Sequence, residues 1–472
     1  MLALTLLTVA VSAWSLPFLG VRATRGAHTT GDEPQYLLSA LSLGTQGSLD
    51  VADERAAGRY RAFHEAPLPI QEAVRPDGRR ISPHDPGLPV LLALPMRFGG
   101  WRAAKASVAV LAGVLAALVA WVAHRRLGVS VPLAIGGTAA FAGAPPLVVY
   151  ATQVYPEIPA ALAVIAGVAA LTGPMRRAGP VTVGVAVVAL PWLSVKYLPV
   201  AGTLAALAAL RLVGDRRWRA LGACCAAWVV AGVLHVVVHV VIYGGPTPYA
   251  AGAHFGAGEL TVIGRSPDFV GRSVRLVGLL VDRTFGLVAW APVFLCLPAA
   301  LGALAVRRPR GAAALVVPLA VGWGNATWLA LTMHGWWWPG RQVVVVLPLA
   351  ALVVLWWADA VAGARARAGL ALGALAGWAV TAWLALQGRA GRLALVVDVE
   401  RVPGPALGLL RASMPDLARW APGDQLLLAA WSLLLGVVAL AGALGAARRS
   451  SCDRRVPVPR RLPDGIGWRT CP

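Results

Sequence analysis

The feature that most constrains this chain is a series of twelve apolar runs, each near the length that crosses a bilayer. A transmembrane helix needs about 20 mostly apolar residues, because the hydrocarbon core is about 30 Å thick. The sequence therefore predicts an all-α polytopic membrane protein with about twelve transmembrane helices, in a range of about eleven to thirteen. The runs lie near residues 2–20, 104–123, 131–150, 157–173, 179–195, 198–213, 219–242, 286–305, 311–332, 342–359, 368–386 and 425–446.

Composition excludes an ordinary soluble globule. Hydrophobic residues make up 58% of the 472 positions and charged residues 13%, against about 25% charged in a typical soluble domain. A net charge of +21 would suggest a nucleic-acid partner in a polar protein, but here the basic residues lie between apolar runs. The charge is better explained by membrane topology, and no nucleic-acid partner is expected.

The arginines favour one orientation in the membrane. Short cytoplasmic loops are enriched in Arg and Lys. With the N-terminus inside, the inner loops and the C-terminal tail hold 20 of the 42 basic residues but only four of the 21 acidic residues. We therefore expect a multi-pass protein of the cell membrane with both termini in the cytoplasm and most of its carboxylates on the outer side.

The domain organisation follows from the loops. Residues 1–446 form a single transmembrane domain, and residues 447–472 form a basic tail that we expect to be disordered. The long outer segments are 21–103, 243–285 and 387–424. The first contains an apolar stretch, 88–98, that is too short to span and is broken by two prolines, which indicates an interfacial or re-entrant helix.

An acidic pair follows the first span directly. Asp32 and Glu33 precede Pro34 and an apolar helical pattern. Acids and proline are favoured in a first helical turn, because the free N–H groups and the helix dipole attract negative charge. This capping role is one interpretation of the pair. Tyr36, four residues after Asp32, would share its helix face.

More ionisable residues lie later in the same loop. Tyr60 and Arg61 form one cluster, and His84 with Asp85 leads into the 88–98 stretch. A carboxylate pair at one end of the loop and a His/Arg group at the other could bracket a polar headgroup at the membrane surface. The loop is therefore the first place to expect a site.

These clusters resemble a known family. Asp32-Glu33 matches the acidic pair after span one in the GT-C superfamily of integral-membrane glycosyltransferases, in the branch similar to protein O-mannosyltransferases and lipid A aminoarabinose transferases. His84-Asp85-Pro86-Gly87 resembles the family's Lys/His-x-Pro-Gly or Lys-Pro-Pro element before span two, with histidine and aspartate where many relatives have lysine and proline. Two later segments, 282–293 and 336–341, resemble its Asp-x-x-x-Gly-Leu…Ala-Pro-Val and Trp-rich Pro-x-Arg elements.

The resemblance implies a GT-C-like fold and the transfer of a hexose or pentose from a polyprenyl-phosphate donor to an envelope glycan, lipid or protein hydroxyl at the extracytoplasmic face. A carboxylate suits the base that accepts the hydroxyl proton, and cations suit the lipid phosphate. We expect no cofactor and leave a divalent metal open. The expected residues are Asp32 and Glu33 in catalysis; Arg341, Arg283, His84 and Lys196 at the donor phosphate; and Tyr36, Tyr60, Arg61, Asp85, Glu157, Asp282 and Trp338 in the substrate pocket.

His235 and His239 lie four residues apart in an apolar span, a spacing that metal sites use. The sequence shows no third ligand at suitable spacing. We therefore expect these two histidines to be buried packing residues, and we assign no metal site.

Two other functions share the same span count. A twelve-helix transporter usually has two similar halves, which this sequence lacks, and its first outer loop would be short. A lipid-linked sugar flippase would need the headgroup site but not the carboxylate of Asp32.

Overall fold

Helices form most of the part of the chain that this computed structural model describes, residues 1–253, 263–264, 266–399 and 405–455. No β-strand occurs in those residues, which contain only isolated bridges. The helices are α1 (Leu2–Ser15), α2 (Glu33–Gln46), α3 (Ala52–Ala56), α4 (Gly87–Leu127), α5 (Val131–Ala142), α6 (Leu147–Tyr150), α7 (Glu157–Leu171), α8 (Ala178–Leu193), α9 (Leu198–Gly214), α10 (Trp218–Tyr243), α11 (Phe269–Arg272), α12 (Arg275–Val281), α13 (Leu297–Arg307), α14 (Ala312–Gly324), α15 (Leu347–Ala360), α16 (Ala364–Arg389), α17 (Pro405–Ala412) and α18 (Pro422–Arg455).

Each of the twelve predicted runs coincides with an apolar helix, which confirms the all-α polytopic fold. Among the described residues, six of these helices are long and apolar enough to cross a membrane, and the other six are shorter. A count of twelve crossings remains a prediction. The long segments are Gly87–Leu127, Val195–Gly214, Trp218–Ala251, Ala312–Leu329, Ala364–Arg389 and Pro422–Arg449.

Burial separates inner helices from outer ones. In α15 every residue from Leu347 to Ala358 is buried, whereas in α10 only His235, His239 and Tyr243 are. An exposed apolar helix face is stable where it contacts lipid. The α10 surface therefore faces the membrane, and the polar groups in its last two turns point toward the protein.

The 21–103 segment contains two longer helical stretches, α2 and the first part of α4. Helix α2 packs against α4, and the 88–98 stretch forms the first part of α4, which is interrupted at Gly100 before the span continues. Leu94 and Phe98 on this first part are exposed. An apolar exposed face beside a kink is typical of a helix that lies in the membrane interface.

The end of the chain departs from its prediction. Helix α18 continues to Arg455, whereas the sequence predicts a disordered tail from residue 447. Residues 456–472 of that predicted tail lie outside the described residues, as do 254–262 and 400–404 of the two later outer loops.

We expect cysteines at the two ends of the bundle to differ in labelling. In a background without the five native cysteines, Gln46→Cys should react with an impermeant maleimide in whole cells. Arg310→Cys should react only after permeabilisation. Both native residues are exposed. The opposite labelling would reverse the orientation that the arginines predict.

Candidate active site

Four charged side chains from four separate segments form one connected group. Arg341 donates from Nη2 to Oδ2 of Asp32 at 2.8 Å and from Nε to Oε1 of Glu157 at 3.0 Å. Lys196 donates from Nζ to the same Glu157 oxygen at 2.8 Å. Two carboxylates and two cations thus alternate from the start of α2 to the turn Val195–Tyr197. The sequence singled out all four residues, and the structure brings them together.

Glycines set the backbone at two of these positions. Gly31, before Asp32, has φ +57°, and Gly340, before Arg341, has φ +83°. A side chain disfavours this region of backbone conformation. A Cβ at Gly31 would also lie 2.8 Å from the Tyr155 hydroxyl. The tight turn before each charged residue therefore requires glycine.

Exposure separates the members of the group. The Asp32 and Lys196 side chains are each 29% exposed, whereas that of Arg341 is 6% exposed and that of Glu157 is 1% exposed. Glu157 and Arg341 therefore form an inner layer that holds Asp32 and Lys196. Asp32 and Lys196 are thus the two members of the group that are open to the surroundings.

The carboxyl group of Asp32 has a lowered pKa. Its withdrawal from bulk water would raise its pKa, but the charge and the hydrogen bond of Arg341 lower that pKa from 3.8 to about 2. Its Oδ2 accepts from Arg341, whereas Oδ1 accepts no hydrogen bond in the described part of the chain. Asp32 is therefore ionised at neutral pH, with one oxygen available.

His84 and Tyr36 form one wall beside Asp32. His84 Nε2 lies 4.0 Å from Oδ1 of Asp32 and 2.8 Å from the Gln71 amide oxygen. The Tyr36 ring lies 4.8 Å from the His84 ring, centroid to centroid. Burial lowers the pKa of His84 below its usual 6.5, so the imidazole is neutral at pH 7. Because the Gln71 oxygen only accepts, Nε2 carries the proton.

Glu33 is placed as a structural residue. Its side chain is fully buried, and its two oxygens accept from the backbone N–H groups of Thr30 at 3.2 Å and Val154 at 2.9 Å. Lys105 Nζ lies 3.6 Å away. Both oxygens thus accept from the backbone, and Glu33 does not present its carboxylate to Asp32 and Arg341.

The structure does not bring Asp282 and Arg283 to the group. Asp282 accepts from the backbone of Thr284, Phe285 and Leu417. The Arg283 guanidinium donates to the carbonyl of Met414 at 3.0 Å. These contacts join the start of the 282–293 segment to residues 411–424, and the Arg283 guanidinium is engaged there.

Three other predicted pocket residues make no hydrogen bond or ion pair to the group in the described part of the chain. Tyr60 is partly buried against the core and Arg61 is exposed, both on the short turn Arg59–Ala62. Trp338 is fully buried and stacks edge-on against Trp290 at 4.9 Å. Its contribution is packing.

Two aromatic residues at the group were not predicted. The Arg341 guanidinium carbon lies 3.9 Å from the ring centroid of Tyr155 and 5.2 Å from that of Trp337. Such cation–π contacts stabilise a buried guanidinium and fix its plane. Sequence proximity could have indicated both aromatic residues, since Tyr155 lies two residues before Glu157 and Trp337 lies four residues before Arg341.

Asp85 lies behind His84, where it meets the two histidines of α10. Its Oδ1 is 3.3 Å from Nε2 of His239, and Oδ2 accepts from the backbone N–H of Val195 at 3.0 Å. Ligand atoms of Asp85, His235 and His239 lie within 4.8 Å of one another, and all three residues are buried. No third candidate ligand is visible near the two histidines in the sequence, but the fold places Asp85 beside them.

In this cluster two hydrogen-bond acceptors face each other, an arrangement that a cation between them would stabilise. His239 Nδ1 lies 2.7 Å from the backbone oxygen of His235 and must donate to it. In a neutral imidazole Nε2 is then an acceptor, and it faces the Asp85 carboxylate. Neither ring nitrogen of His235 has a hydrogen-bond partner. A proton on Nε2 or a divalent metal of the zinc type would satisfy this arrangement.

The fold resembles two solved structures, both crystal structures of ArnT, the lipid A aminoarabinose transferase, from Cupriavidus metallidurans. The structure bound to undecaprenyl phosphate matches with a TM-score of 0.55 and 16% identity, covering 95% of this chain and 78% of that one. The apo structure matches with a TM-score of 0.50 at the same identity and coverage. The chain has the ArnT fold.

The resemblance drawn from the sequence is thus confirmed for the fold. No protein-family model matches the sequence, and neither does any curated protein.

We expect His84 to make stability depend on pH. Because its pKa is lowered in the folded state, the unfolded chain binds more protons as the pH falls below about 6.5, and this destabilises the fold. Thermal unfolding midpoints between about pH 7.5 and about pH 5 should fall more in the wild type than in His84→Gln, which keeps a side-chain donor. Parallel curves would contradict the lowered pKa.

The contact between Asp85 and His239 should stabilise the fold. His239→Ala removes the imidazole that Oδ1 of Asp85 faces, while Oδ2 keeps the backbone N–H of Val195. Where a proton or a metal on Nε2 makes this contact a buried ion pair, its loss costs about 3 kcal/mol. Thermal unfolding of the purified protein measures it, with Val236→Ala as the control because Val236 is on the same helix and is 44% exposed. Added zinc should raise the wild-type midpoint more than that of His239→Ala if the cluster holds a metal. Equal midpoints for His239→Ala and Val236→Ala would show that the contact contributes nothing.

Proposed function

We propose that this protein is a membrane glycosyltransferase that moves a sugar from a polyprenyl-phosphate donor to an acceptor hydroxyl at the extracytoplasmic face, in the building of an envelope glycan, lipid or glycoprotein. One observation carries the proposal: an ionised, partly exposed carboxylate, Asp32, is held beside Lys196 and Arg341 at one end of a membrane bundle. The ArnT fold supports it, because an ArnT structure holds undecaprenyl phosphate.

Asp32 is the base of the proposed reaction. Its free Oδ1 accepts the proton of the acceptor hydroxyl while the hydroxyl oxygen bonds to the anomeric carbon of the sugar. The bond between that carbon and the phosphate oxygen breaks, and its electron pair leaves with the lipid phosphate. Attack on the face opposite the leaving group would invert the anomeric centre.

Lys196 is the principal cation for the leaving phosphate. Its ammonium is partly exposed and has one carboxylate contact, to Glu157. Arg341 is nearly buried and already donates to Asp32 and Glu157, so it contributes its charge from behind. Cations that are fixed where negative charge develops stabilise the transition state, because they need little reorganisation during the reaction.

Donor binding should strengthen the base. A carboxyl with a pKa near 2 is a weak proton acceptor, and efficient bases have a pKa nearer the working pH. A donor phosphate beside Lys196 and Arg341 would add negative charge near Asp32, which raises the pKa of that carboxyl. Asp32 would thus become an effective base only after the donor is bound.

The resident side chains supply this chemistry without a cofactor. The Asp85, His235 and His239 cluster is buried behind His84, whereas Oδ1 of Asp32 lies in front of it, 4.0 Å from Nε2 of His84. A metal in the cluster would therefore fix the loop that ends at His84. We assign it no part in the transfer.

The proposal is tested by replacing Asp32. Purified protein in liposomes is given a panel of undecaprenyl-phosphate sugars with a radiolabel and an envelope acceptor fraction. Asp32→Asn should lower the turnover number by about 10² or more, because general-base catalysis contributes 10²- to 10⁴-fold. Lys196→Gln should mainly raise the KM for the donor, by about tenfold, because it removes a charge-assisted contact.

The controls separate transfer from transport. Asp53→Asn removes an exposed acid from the same loop and should leave turnover unchanged. Unchanged turnover in a folded Asp32→Asn protein would overturn the proposed base. If labelled lipid crosses the bilayer without transfer, and equally well in Asp32→Asn, the protein is a flippase.

A further inference from the structure

A groove lies between α8 and α10 on the lipid-facing surface of the protein, toward the end of the bundle away from Asp32. Helix α8 runs from Ala178 to Leu193, just before the turn that holds Lys196. The two helices meet near that turn, where the Trp192 ring is 5.1 Å from the ring of His235. Toward the other end they enclose a cavity of about 700 Å³. The groove is therefore closed near the site and open at the opposite membrane face.

The walls of the groove are apolar and follow the helical repeat. Helix α8 contributes pairs of residues four apart, from Pro180 and Val181 to Val188 and Ala189, and α10 contributes Ala220 to Trp228. Val181 and Val185 are 65% and 64% exposed. Nine residues of helix rise about 14 Å, which is about half the hydrocarbon thickness. The groove is thus as deep as one leaflet.

The open end of the groove is basic. A second cavity, of about 590 Å³, is lined by Arg176, Arg177, Arg211 and Arg217 with a single acid, Asp215. Arg177 and Arg217 line both cavities. Asp215 pairs with Arg211 at 4.0 Å. In the described part of the chain, the other three arginines have no ion pair.

Helix ends add to this positive charge. Arg177 and Arg217 are the residues that precede the first turns of α8 and α10, and neither first turn contains an acid or a side-chain cap. The free N–H groups of both turns therefore contribute further positive potential near the arginines.

We propose that this groove binds an anionic glycerophospholipid, with its phosphate among Arg176, Arg177 and Arg217 and one acyl chain between α8 and α10. Basic pockets between membrane helices on the cytoplasmic side recognise such headgroups. A depth of one leaflet fits an acyl chain, whereas a long polyprenyl chain would extend beyond it. This site is separate from the donor site and does not depend on glycosyl transfer.

The bound lipid would hold α8 and α10 apart at one end. It fills the space between α8 and α10 where the two helices diverge. At the other end the helices meet through Trp192 and His235, next to the turn that holds Lys196. The site thus places an inner-leaflet lipid against a helix that leads directly to the candidate active site.

The test is native mass spectrometry of the full-length protein, titrated in detergent with phosphatidylglycerol or with phosphatidylcholine of the same chains. The wild type should bind phosphatidylglycerol at least about tenfold more tightly. Arg177→Gln with Arg217→Gln should weaken that binding by about 25-fold, because each arginine near the surface is worth about fivefold. Val185→Trp should abolish binding by filling the groove.

Two control variants make the same kinds of substitution outside the groove. Arg125→Gln removes an exposed arginine in the last turn of α4, and Val229→Trp enlarges a valine on α10 that is 66% exposed; both should bind like the wild type. Folding of each variant is checked by its unfolding midpoint. Equal affinity for the two lipids, or unchanged binding in a folded double variant, would overturn the proposal. Displacement by inorganic phosphate with no effect of Val185→Trp would also overturn it, since the site would then take a free anion.

Discussion

The structure of the site depends on one guanidinium. Arg341 is nearly buried, and a buried charge is costly unless it is paired and hydrogen-bonded. It meets both conditions through Asp32 and Glu157, while the rings of Tyr155 and Trp337 cover it. The first outer loop, the start of α7 and the segment before α15 are held together by this one side chain. The same contact keeps Asp32 ionised, so the group that joins the segments also sets the chemistry of the exposed carboxylate.

Much of the fold could be predicted from the sequence, because hydrophobic length is a local property. The twelve apolar runs identify the helices, and the stretch 88–98 is separated from its span as its length predicts. Asp32 was found because an acidic pair before a helix is visible in a few residues. Lys196 and Glu157 were found at predicted span ends, although no sequence rule shows that Arg341 and Lys196 share one oxygen of Glu157.

The rest of the site could not be predicted, because tertiary contacts decide it. Glu33 is adjacent to Asp32 in sequence, yet the helix start turns its side chain inward to the backbone of Val154. The sequence offers Arg283 and Arg341 as similar candidates for the phosphate, but the Arg283 guanidinium donates to the carbonyl of Met414. The histidines of α10 meet Asp85 across 154 positions of chain. A motif search covers too few residues to detect such a distant partner.

The carboxylate of Glu157 has a consequence for the order of events at the site. One of its oxygens accepts from both Arg341 and Lys196, while the other has no hydrogen-bond partner among the described residues. Lys196 can therefore leave for a phosphate while Arg341 continues to neutralise Glu157. In the proposed reaction the ammonium of Lys196 would move between Glu157 and the lipid phosphate, and Glu157 would stay paired with Arg341 throughout.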